Sequence, residues 1–148
     1  MAMRGVVQRV ARAEVRVDGR TVGSIGSGML VFVGVGEGDT ADQADWLAGK
    51  LSRLRIFEDD EGRMNRSVVD VGGAVLVVSQ FTLLADTSRG NRPSFIGAAA
   101  PDVAEPLVGR VAAELRALGL EVAMGEFGAH MEVDLLNDGP VTILLESG

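Results

Sequence analysis

Two short strings carry the residue types from which a site could be built: SQFTLL at residues 79–84 and NDGPVT at residues 137–142. In the first string, the polar residues Ser79, Gln80 and Thr82 follow directly on a hydrophobic strand. Side chains at a strand end often only cap backbone groups. Alternatively, the backbone N–H groups there, with Thr82 Oγ1, can surround a reacting carbonyl and stabilise its oxyanion. The residues alone leave both interpretations open.

The second string also has two interpretations. Asn137, Asp138 and Gly139 between alternating strands are typical of a hairpin turn. Pro140 has no N–H, so nearby carbonyls can lack a partner in the sheet, and only about one X–Pro bond in twenty is cis. Free carbonyls at a Gly–Pro pair would accept hydrogen bonds from an ammonium group. The string therefore predicts either a simple turn or an acceptor site for an amine.

The remaining candidate sites have ordinary explanations. GVGEGD at residues 34–39 lacks the P-loop lysine and the dinucleotide-binding spacing, and a strand-to-helix turn accounts for it. The acidic residues 58–61 lack EF-hand spacing, and His130 is a lone histidine expected to point away from the core. There is no Ser-His-Asp arrangement and no G-x-S-x-G elbow. We therefore expect no metal or cofactor, and a reaction that needs little acid–base help from side chains.

Composition restricts the class of protein. A length of 148 residues predicts one domain over residues 1–148, and 47% hydrophobic with 24% charged residues is typical of soluble globular proteins. The chain has no cysteine, which excludes disulfides, zinc–thiolate sites and a cysteine nucleophile. Neither a secretory signal nor an apolar run of membrane-spanning length is present. We expect a cytoplasmic protein with no membrane partner.

The net charge restricts which nucleic-acid partners are expected. A net charge of −7 and a pI of about 4.7 argue against broad, non-specific nucleic-acid binding, so DNA is not an expected partner. Recognition of a single RNA end remains compatible with this charge. The arginines are locally clustered, for example Arg89 and Arg92, and form either solvated faces or local phosphate contacts.

Periodicity indicates which elements position these strings. Alternating or fully apolar runs predict strands at residues 13–17, 21–25, 29–35 and 74–79, with a hairpin turn at Asp18 and Gly19. A first helix is expected after a capping box of Thr40 and Gln43. A second is expected to begin near Asp102, with Glu105 completing another box, and to end at Gly119. Its predicted apolar face consists of Leu107, Val108, Val111, Leu115 and Leu118. Three strands follow, at residues 120–124, 130–136 and 141–146.

The order of elements is therefore β2-(βα)2-β3. It predicts an α/β fold with mixed β-sheets in two layers and two helices packed on one side, a three-layer α/β/β arrangement. Seven strands and two helices leave part of the sheet surface uncovered. That surface needs a second sheet layer or a partner subunit.

Both strings resemble the SQFTL and N-x-GPVT motifs of the D-aminoacyl-tRNA deacylase family. The flanking strings MRGVVQRV, RIFEDDEGRMN and RPSF extend the resemblance over nearly the whole chain. It implies a homodimeric editing hydrolase that cleaves the ester of D-aminoacyl-tRNA, and of glycyl-tRNA mischarged on tRNA-Ala, at the tRNA 3′ end. It also implies a cis Gly139–Pro140 bond that reaches into the partner's active site. There its carbonyls would meet the substrate α-amino group and its backbone would exclude an L side chain.

The same resemblance assigns roles to individual residues. The implied catalytic residues are Ser79, Gln80, Phe81 and Thr82. The implied substrate-binding residues are Gly139, Pro140, Arg9, Asn137, Phe95 and Met131. Two mechanisms compete: Thr82 attacks the ester as nucleophile, or backbone N–H groups hold the oxyanion while the tRNA 2′-OH helps to activate water.

We favour the second mechanism, because no residue in the sequence is placed as a base for Thr82 and aminoacyl esters are intrinsically labile. The alternative function is a non-catalytic, dimeric RNA-end binding module on the same scaffold. The scarcity of acid–base residues is its main support.

Overall fold

The computed structural model describes residues 2–148, which form eight β-strands and two α-helices. The strands are β1 Arg4–Val17, β2 Arg20–Ile25, β3 Gly28–Gly34, β4 Phe57–Glu58, β5 Met64–Arg66, β6 Ala74–Ser79, β7 Glu121–Met124 and β8 Glu132–Glu146. The helices are α1 Ala41–Arg53 and α2 Pro101–Ala117, and a short 3-10 turn, Phe81–Leu84, follows β6.

Six of these strands form one curled sheet in the order β2-β1-β3-β6-β7, with β8 paired to β1. The pairs of β1 with β2, β3 and β8 are antiparallel, whereas β3, β6 and β7 run parallel. Strands β3 and β2 follow one another along one edge of β1, and β8 covers the opposite edge. The curl brings β2 over β7, where a Cβ on Gly23 would lie 2.4 Å from the Met124 carbonyl oxygen. The sheet is therefore nearly closed into a barrel.

Each face of the sheet buries its own core. Both helices cover one face, where Met29, Val31, Val33, Val75 and Val77 meet Leu47, Leu51, Val111 and Leu115. The other face is covered by the sheet itself, through Val10, Ala13, Val15, Ile25, Leu30, Leu76 and Val78. Strict alternation along β3 and β6 sends neighbouring residues to opposite faces. The predicted α/β class, with two helices on one side and a second β layer on the other, is confirmed.

Local signals explain several boundaries. Thr40 and Gln43 form the predicted capping box of α1, with the Thr40 N–H donating to Gln43 Oε1 at 2.7 Å. Asp18 and Gly19 both have positive φ, 51° and 77°, which suits the two-residue turn between β1 and β2. Gly119, with φ 85°, ends α2 as predicted.

The second helix, α2, begins near Asp102 as predicted, but the capping box predicted for its start is wrong. The helix begins at Pro101, and its N-cap, Ala100, makes no side-chain capping bond. Proline is favoured in the first helical turn because its ring presets φ and its missing N–H would have no partner there. Asp102 and Glu105 therefore form no capping box. Leu118 lies beyond the last helical residue and is 52% exposed, so it does not belong to the buried face.

Two strand predictions also change. The predicted strands 130–136 and 141–146 are halves of one strand, β8, which pairs with β1 from Glu132 to Glu146. Residues 138–141 bulge out of this pairing instead of turning the chain back, so the hairpin interpretation of NDGPVT is wrong. The acidic turn after Glu58 is confirmed as a turn, but it joins two short strands, β4 and β5, that the sequence did not reveal.

Candidate active site

The first polar string forms a turn at the end of β6. Its anchor is the Gln80 N–H, which donates to the Val33 carbonyl of β3 at 2.8 Å. The turn lies directly on the end of β3 because Gly34 has no side chain. A Cβ there would be 2.6 Å from Leu84 Cδ2 and 2.9 Å from Leu83 Cβ. We call residues 80–84 the 80–84 turn.

The start of this turn presents unused backbone donors. In residues 2–148 the N–H groups of Phe81 and Thr82 donate to no other residue, whereas the Leu83 N–H bonds to the Gln80 carbonyl at 3.3 Å. The first N–H groups of any helical turn lack partners within the turn. Two adjacent donors of this kind can stabilise a developing oxyanion.

The hydroxyl of Thr82 has a single side-chain partner in the described chain. Gln80 Nε2 donates to Thr82 Oγ1 at 2.8 Å. The Thr82 hydroxyl proton remains available for a ligand, but a neutral amide cannot remove it. The geometry therefore supports Thr82 as a hydrogen-bonding residue and provides no base to make it a nucleophile.

A cavity of about 510 Å³ opens beside the turn. Six residues singled out in the sequence line it: Ser79, Gln80, Phe81, Thr82, Phe95 and Met131. The rest of the wall is apolar or small, namely Val35, Ala98, Ala99, Pro101, Ala104, Phe127, Gly128 and Ala129. No charged side chain of the described residues lines this cavity, so the polar groups of the turn are its main sites for electrostatic contact with a ligand.

An aromatic pair stands at the cavity. The rings of Phe81 and Phe95 meet edge to face, with centroids 5.0 Å apart and planes at 72°. Phe81 is 56% exposed, which is unusual for so large an apolar side chain. Exposed aromatic faces of this kind are suited to stacking with a flat ligand group such as a nucleobase.

One wall of the cavity is held by the turn that precedes α1. The Glu37 N–H donates to the Gly97 carbonyl at 2.8 Å, and the Ala99 N–H donates to the Val35 carbonyl at 2.9 Å. This turn is itself fixed by Asp39, which is 7% exposed and accepts the Gly36 N–H at 2.6 Å. Burial raises the pKa of Asp39, and the bond from Gly36 offsets part of that effect. GVGEGD is therefore structural, as the strand-to-helix interpretation predicted.

The second string is organised around a buried arginine. Arg9 is 6% exposed and donates from Nη1 to the Ile56 carbonyl at 2.8 Å and from Nε to the Asp138 carbonyl at 3.1 Å. Asn137 Nδ2 in turn donates to the Arg9 carbonyl at 2.9 Å and to the Val141 carbonyl at 3.1 Å. These bonds fix the bulge at both ends. We call residues 137–141 the 137–141 segment.

The tip of this segment faces outward. The Gly139–Pro140 peptide bond is cis, as the resemblance implied. Asp138, Gly139 and Pro140 are all exposed. Gly139 has φ 133°, and a Cβ there would lie 2.8 Å from Val141 Cγ2. Glycine is therefore required both by its backbone conformation and by this close approach.

The predicted site residues thus fall into two groups. Ser79, Gln80, Phe81, Thr82, Phe95 and Met131 share one cavity. Arg9 and Asn137 hold the exposed Gly139–Pro140 tip, and none of these four lines that cavity. His130 is exposed and lines no part of it either.

Several cavity residues were not predicted from the sequence. Ala98, Ala99 and Ala104 carry no chemical signal, because small apolar residues occur throughout any core. Phe127 was also missed, although it precedes a Gly-Ala pair at a turn. Gly125, which does not itself line the cavity, was also not predicted. A Cβ on it would lie 2.7 Å from Met131 Sδ, so its bare backbone lets Met131 lie in the wall.

Two kinds of feature are absent from residues 2–148. No group of three or more His, Cys, Asp or Glu side chains is arranged there to hold a metal ion. No helix in this part of the chain is both long and apolar enough to cross a bilayer.

Comparison with curated proteins finds relatives over the full length. The chain is 61% identical over 145 residues to the D-aminoacyl-tRNA deacylase of Roseiflexus castenholzii, covering 98% of this chain and 92% of that protein. It is 60% identical over 144 residues to the D-aminoacyl-tRNA deacylase of Deinococcus radiodurans, covering 97% and 99%.

Solved structures share the fold. A structure named c-Myc DNA Unwinding Element Binding Protein matches with a TM-score of 0.91 and 40% identity, covering 98% of this chain and 99% of the other. A second, described as a probable eukaryotic D-amino acid tRNA deacylase, matches with a TM-score of 0.84 over 99% and 100% of the two chains. At 20% identity the second match supports the fold alone.

The family model gives the same result from the sequence. The model described as D-Tyr-tRNA(Tyr) deacylase matches residues 6–146, a span that contains the 80–84 turn, the cavity and the 137–141 segment. With that match and relatives about 60% identical over nearly their whole length, this chain belongs to the D-Tyr-tRNA(Tyr) deacylase family.

Proposed function

We propose that this protein is an editing hydrolase that cleaves the ester bond of D-aminoacyl-tRNA to free D-amino acid and tRNA. The observation that carries the proposal is the pair of free N–H groups at Phe81 and Thr82, which open onto an uncharged cavity. Such a site stabilises a carbonyl oxyanion without titratable side chains. The membership of the family and the names of the relatives supply the substrate class.

The proposed chemistry is direct hydrolysis. A water oxygen bonds to the ester carbonyl carbon, and the carbonyl oxygen becomes an oxyanion held by the Phe81 and Thr82 N–H groups. The bond to the ribose oxygen then breaks, and that oxygen takes the proton given up by the attacking water to become the terminal hydroxyl of the tRNA. The neighbouring 2′-OH of the substrate assists the water, because the cavity offers no protein base. Positioning and oxyanion stabilisation supply the acceleration.

A deacylation assay tests the function. The protein is incubated with D-tyrosyl-tRNA and, in parallel, with L-tyrosyl-tRNA, and the fraction still esterified is followed with time. We expect the D ester to be cleared while the L ester decays at the rate of buffer alone. If both esters persist at the buffer rate while tRNA still binds, the alternative function, a non-catalytic RNA-end binding module, is correct.

Replacing Thr82 with alanine tests the mechanism. Because Thr82 contributes a backbone N–H that alanine retains, we expect the single-turnover rate with D-tyrosyl-tRNA to fall by only about tenfold, in line with the removal of one hydroxyl hydrogen bond of roughly 1–1.5 kcal/mol. Thr82→Ser is the matched control and should lose less. Near-complete loss of turnover in Thr82→Ala, with tRNA binding intact, would establish the nucleophile mechanism instead.

We propose that rejection of L substrates depends on the Gly139–Pro140 tip of a second subunit. Within one protomer the tip is exposed and lines no part of the cavity, which supports a role in another copy of the chain. Backbone atoms cannot change rotamer, so a carbonyl pair offers a rigid filter against an L side chain. Glycine has no side chain, and glycyl-tRNA mischarged on tRNA-Ala is therefore a further proposed substrate. The proposed assembly is a homodimer in the cytoplasm.

The RNA interface is proposed to be confined to the tRNA 3′ end. Arg89 and Arg92 are exposed on the loop that leads to Phe95 and supply local positive charge in a chain of net charge −7. We expect the double variant Arg89→Gln, Arg92→Gln to bind tRNA more weakly. The slope of the logarithm of the binding constant against the logarithm of the salt concentration should become shallower by about 0.7 for each phosphate that is no longer neutralised. Filter binding across a series of salt concentrations measures both quantities.

A control and a competitor complete that experiment. Arg20→Gln removes an exposed arginine from the β1–β2 hairpin and should leave the salt slope unchanged. An unchanged slope in the double variant would remove Arg89 and Arg92 from the RNA interface. Single-stranded DNA of the same 3′ sequence, added as competitor, is expected to displace tRNA poorly. Equal competition would contradict the proposal that DNA is not a partner.

A further inference from the structure

The carbonyl of Leu83 is a second point, besides the Gln80 N–H, at which the 80–84 turn is held from outside. Inside the turn, the Gln80 carbonyl accepts the Leu83 N–H and the Thr82 carbonyl accepts the Ala85 N–H at 3.1 Å. The Leu83 carbonyl instead accepts from Arg4 Nη1 at 2.7 Å, in a half-buried hydrogen bond between residues 79 positions apart. A charged donor makes this bond short and roughly twice as strong as a neutral one.

Arg4 is itself fixed by the sheet. It is the first residue of β1 and pairs with Gly34 on β3 and with Glu146 on β8. Its Nε lies 3.4 Å from Glu146 Oε1, and its side chain is 33% exposed. The guanidinium is therefore held between a carboxylate and the end of the turn, on a position set by two neighbouring strands.

The sheet supports the turn in two complementary ways. Gly34, the register partner of Arg4, supports the turn by close approach, since a Cβ on it would lie 2.9 Å from Leu83 Cβ. Arg4 holds the far end by a hydrogen bond, and a cation at that end is favourable because helical carbonyls there carry partial negative charge. Both Arg4 and Leu83 line a separate groove and not the cavity of the proposed active site.

We propose that Arg4 is a positioning residue, which sets the tilt of the 80–84 turn and hence the aim of the Phe81 and Thr82 N–H groups into the cavity. It acts through the Leu83 carbonyl and touches no substrate. The inference rests on the proposed function for its kinetic consequence, and on the geometry alone for its structural one. The two consequences can therefore be measured separately.

The variants are Arg4→Met, which removes the donor at similar length, and Glu146→Gln, which leaves Arg4 in place. For Arg4→Met we expect kcat for D-tyrosyl-tRNA to fall about 10- to 100-fold, as displaced catalytic groups do, with KM changed less than about twofold. We also expect faster amide hydrogen exchange in the peptide that contains residues 80–85, measured by mass spectrometry. Glu146→Gln should match the unaltered protein in kcat, in KM and in the exchange rate at residues 80–85. Arg4→Lys, which keeps a charged donor, should lose less kcat than Arg4→Met.

Specific results overturn the inference. An unchanged kcat and unchanged exchange at residues 80–85 in Arg4→Met would refute it. So would an equal loss of kcat in Glu146→Gln, because the effect would then belong to the ion pair and not to the bond with Leu83. If Arg4→Met does not fold, Arg4→Lys and Arg4→Gln provide the same comparison. If the unaltered protein cleaves no D ester, the proposed function fails, while the exchange measurement still decides whether Arg4 holds the turn.

Discussion

Replacing Arg9 with methionine is expected to remove most of the activity toward D-tyrosyl-tRNA and to lower the free energy of unfolding by about 1.5–3 kcal/mol, the range for a hydrogen bond that involves a charged group. Methionine fills similar space but donates no hydrogen bond. The Ile56 carbonyl, which receives Nη1 at 2.8 Å, would be left buried without this partner. The Asp138 carbonyl would be released from Nε, and with it one end of the 137–141 segment.

Denaturant titration measures the stability, and a single-turnover assay measures the rate. Arg12→Met is the matched control, because Arg12 lies on the same strand but makes an exposed ion pair with Asp134 at 3.3 Å. Exposed pairs contribute only about 0–1 kcal/mol. Equal unfolding midpoints for the two variants would show that the buried hydrogen bonds of Arg9 do not hold the segment.

Replacing Gly34 with alanine is expected to lower the single-turnover rate by about 100-fold, the loss that follows a displacement of about 1 Å in a catalytic group. The new Cβ would lie 2.6 Å from Leu84 Cδ2 and 3.1 Å from the Gln80 carbonyl oxygen. Leu84 is only 1% exposed, so its side chain has no space into which to move. The 80–84 turn must therefore shift, and its N–H groups move with it.

Overpacking of this kind also lowers the free energy of unfolding by about 1–3 kcal/mol, which leaves the fold intact in an ordinary domain. Gly26→Ala is the matched control, since no atom lies within 4 Å of a Cβ at Gly26. A Gly34→Ala protein that turns over as fast as Gly26→Ala would show that the position of the turn does not limit the chemistry.

The two variants together test whether the tip of one subunit serves the cavity of another. A mixed dimer of Gly34→Ala and Arg9→Met subunits contains one unaltered turn and, on the partner, one unaltered 137–141 segment. If the turn of one subunit and the segment of the other form one site, each mixed dimer should have one active site out of two. If each segment serves its own subunit, mixing restores nothing.

Much of the fold could be predicted because its signals are local. The fully apolar runs that form β3 and β6, the capping box at Thr40 and the turn at Asp18 and Gly19 all formed as expected. Failures arose where a distant partner decides the outcome. NDGPVT has the chemistry of a hairpin turn, yet β1 is long enough to pair with both sides of it, so the chain continues as one bulged strand.

In the candidate site, too, the features with a local sequence signal could be predicted and those that depend on distant residues could not. The polar string at residues 79–82 was recognisable because polar groups after a buried strand are conspicuous, and these residues do line one cavity with Phe95 and Met131. The alanines that complete the wall carry no signal of their own. Neither does the hydrogen bond from Arg4 to Leu83, because it joins positions 79 residues apart. The resemblance already implied that the Gly139–Pro140 tip serves a partner's site, but only the structure shows that Arg9 and Asn137 lie with it outside this cavity.

The pairing of β1 with β8 also determines when the sheet can be completed during synthesis, because β8 is the last strand to be made. β1 leaves the ribosome before the seven other described strands, but one of its edges stays uncovered until Arg4 can pair with Glu146 and Arg16 with Glu132. Pairing between such distant positions slows folding, because a long loop must close before it forms. Until then the nascent chain carries an uncovered strand edge, the kind of surface that chaperones bind.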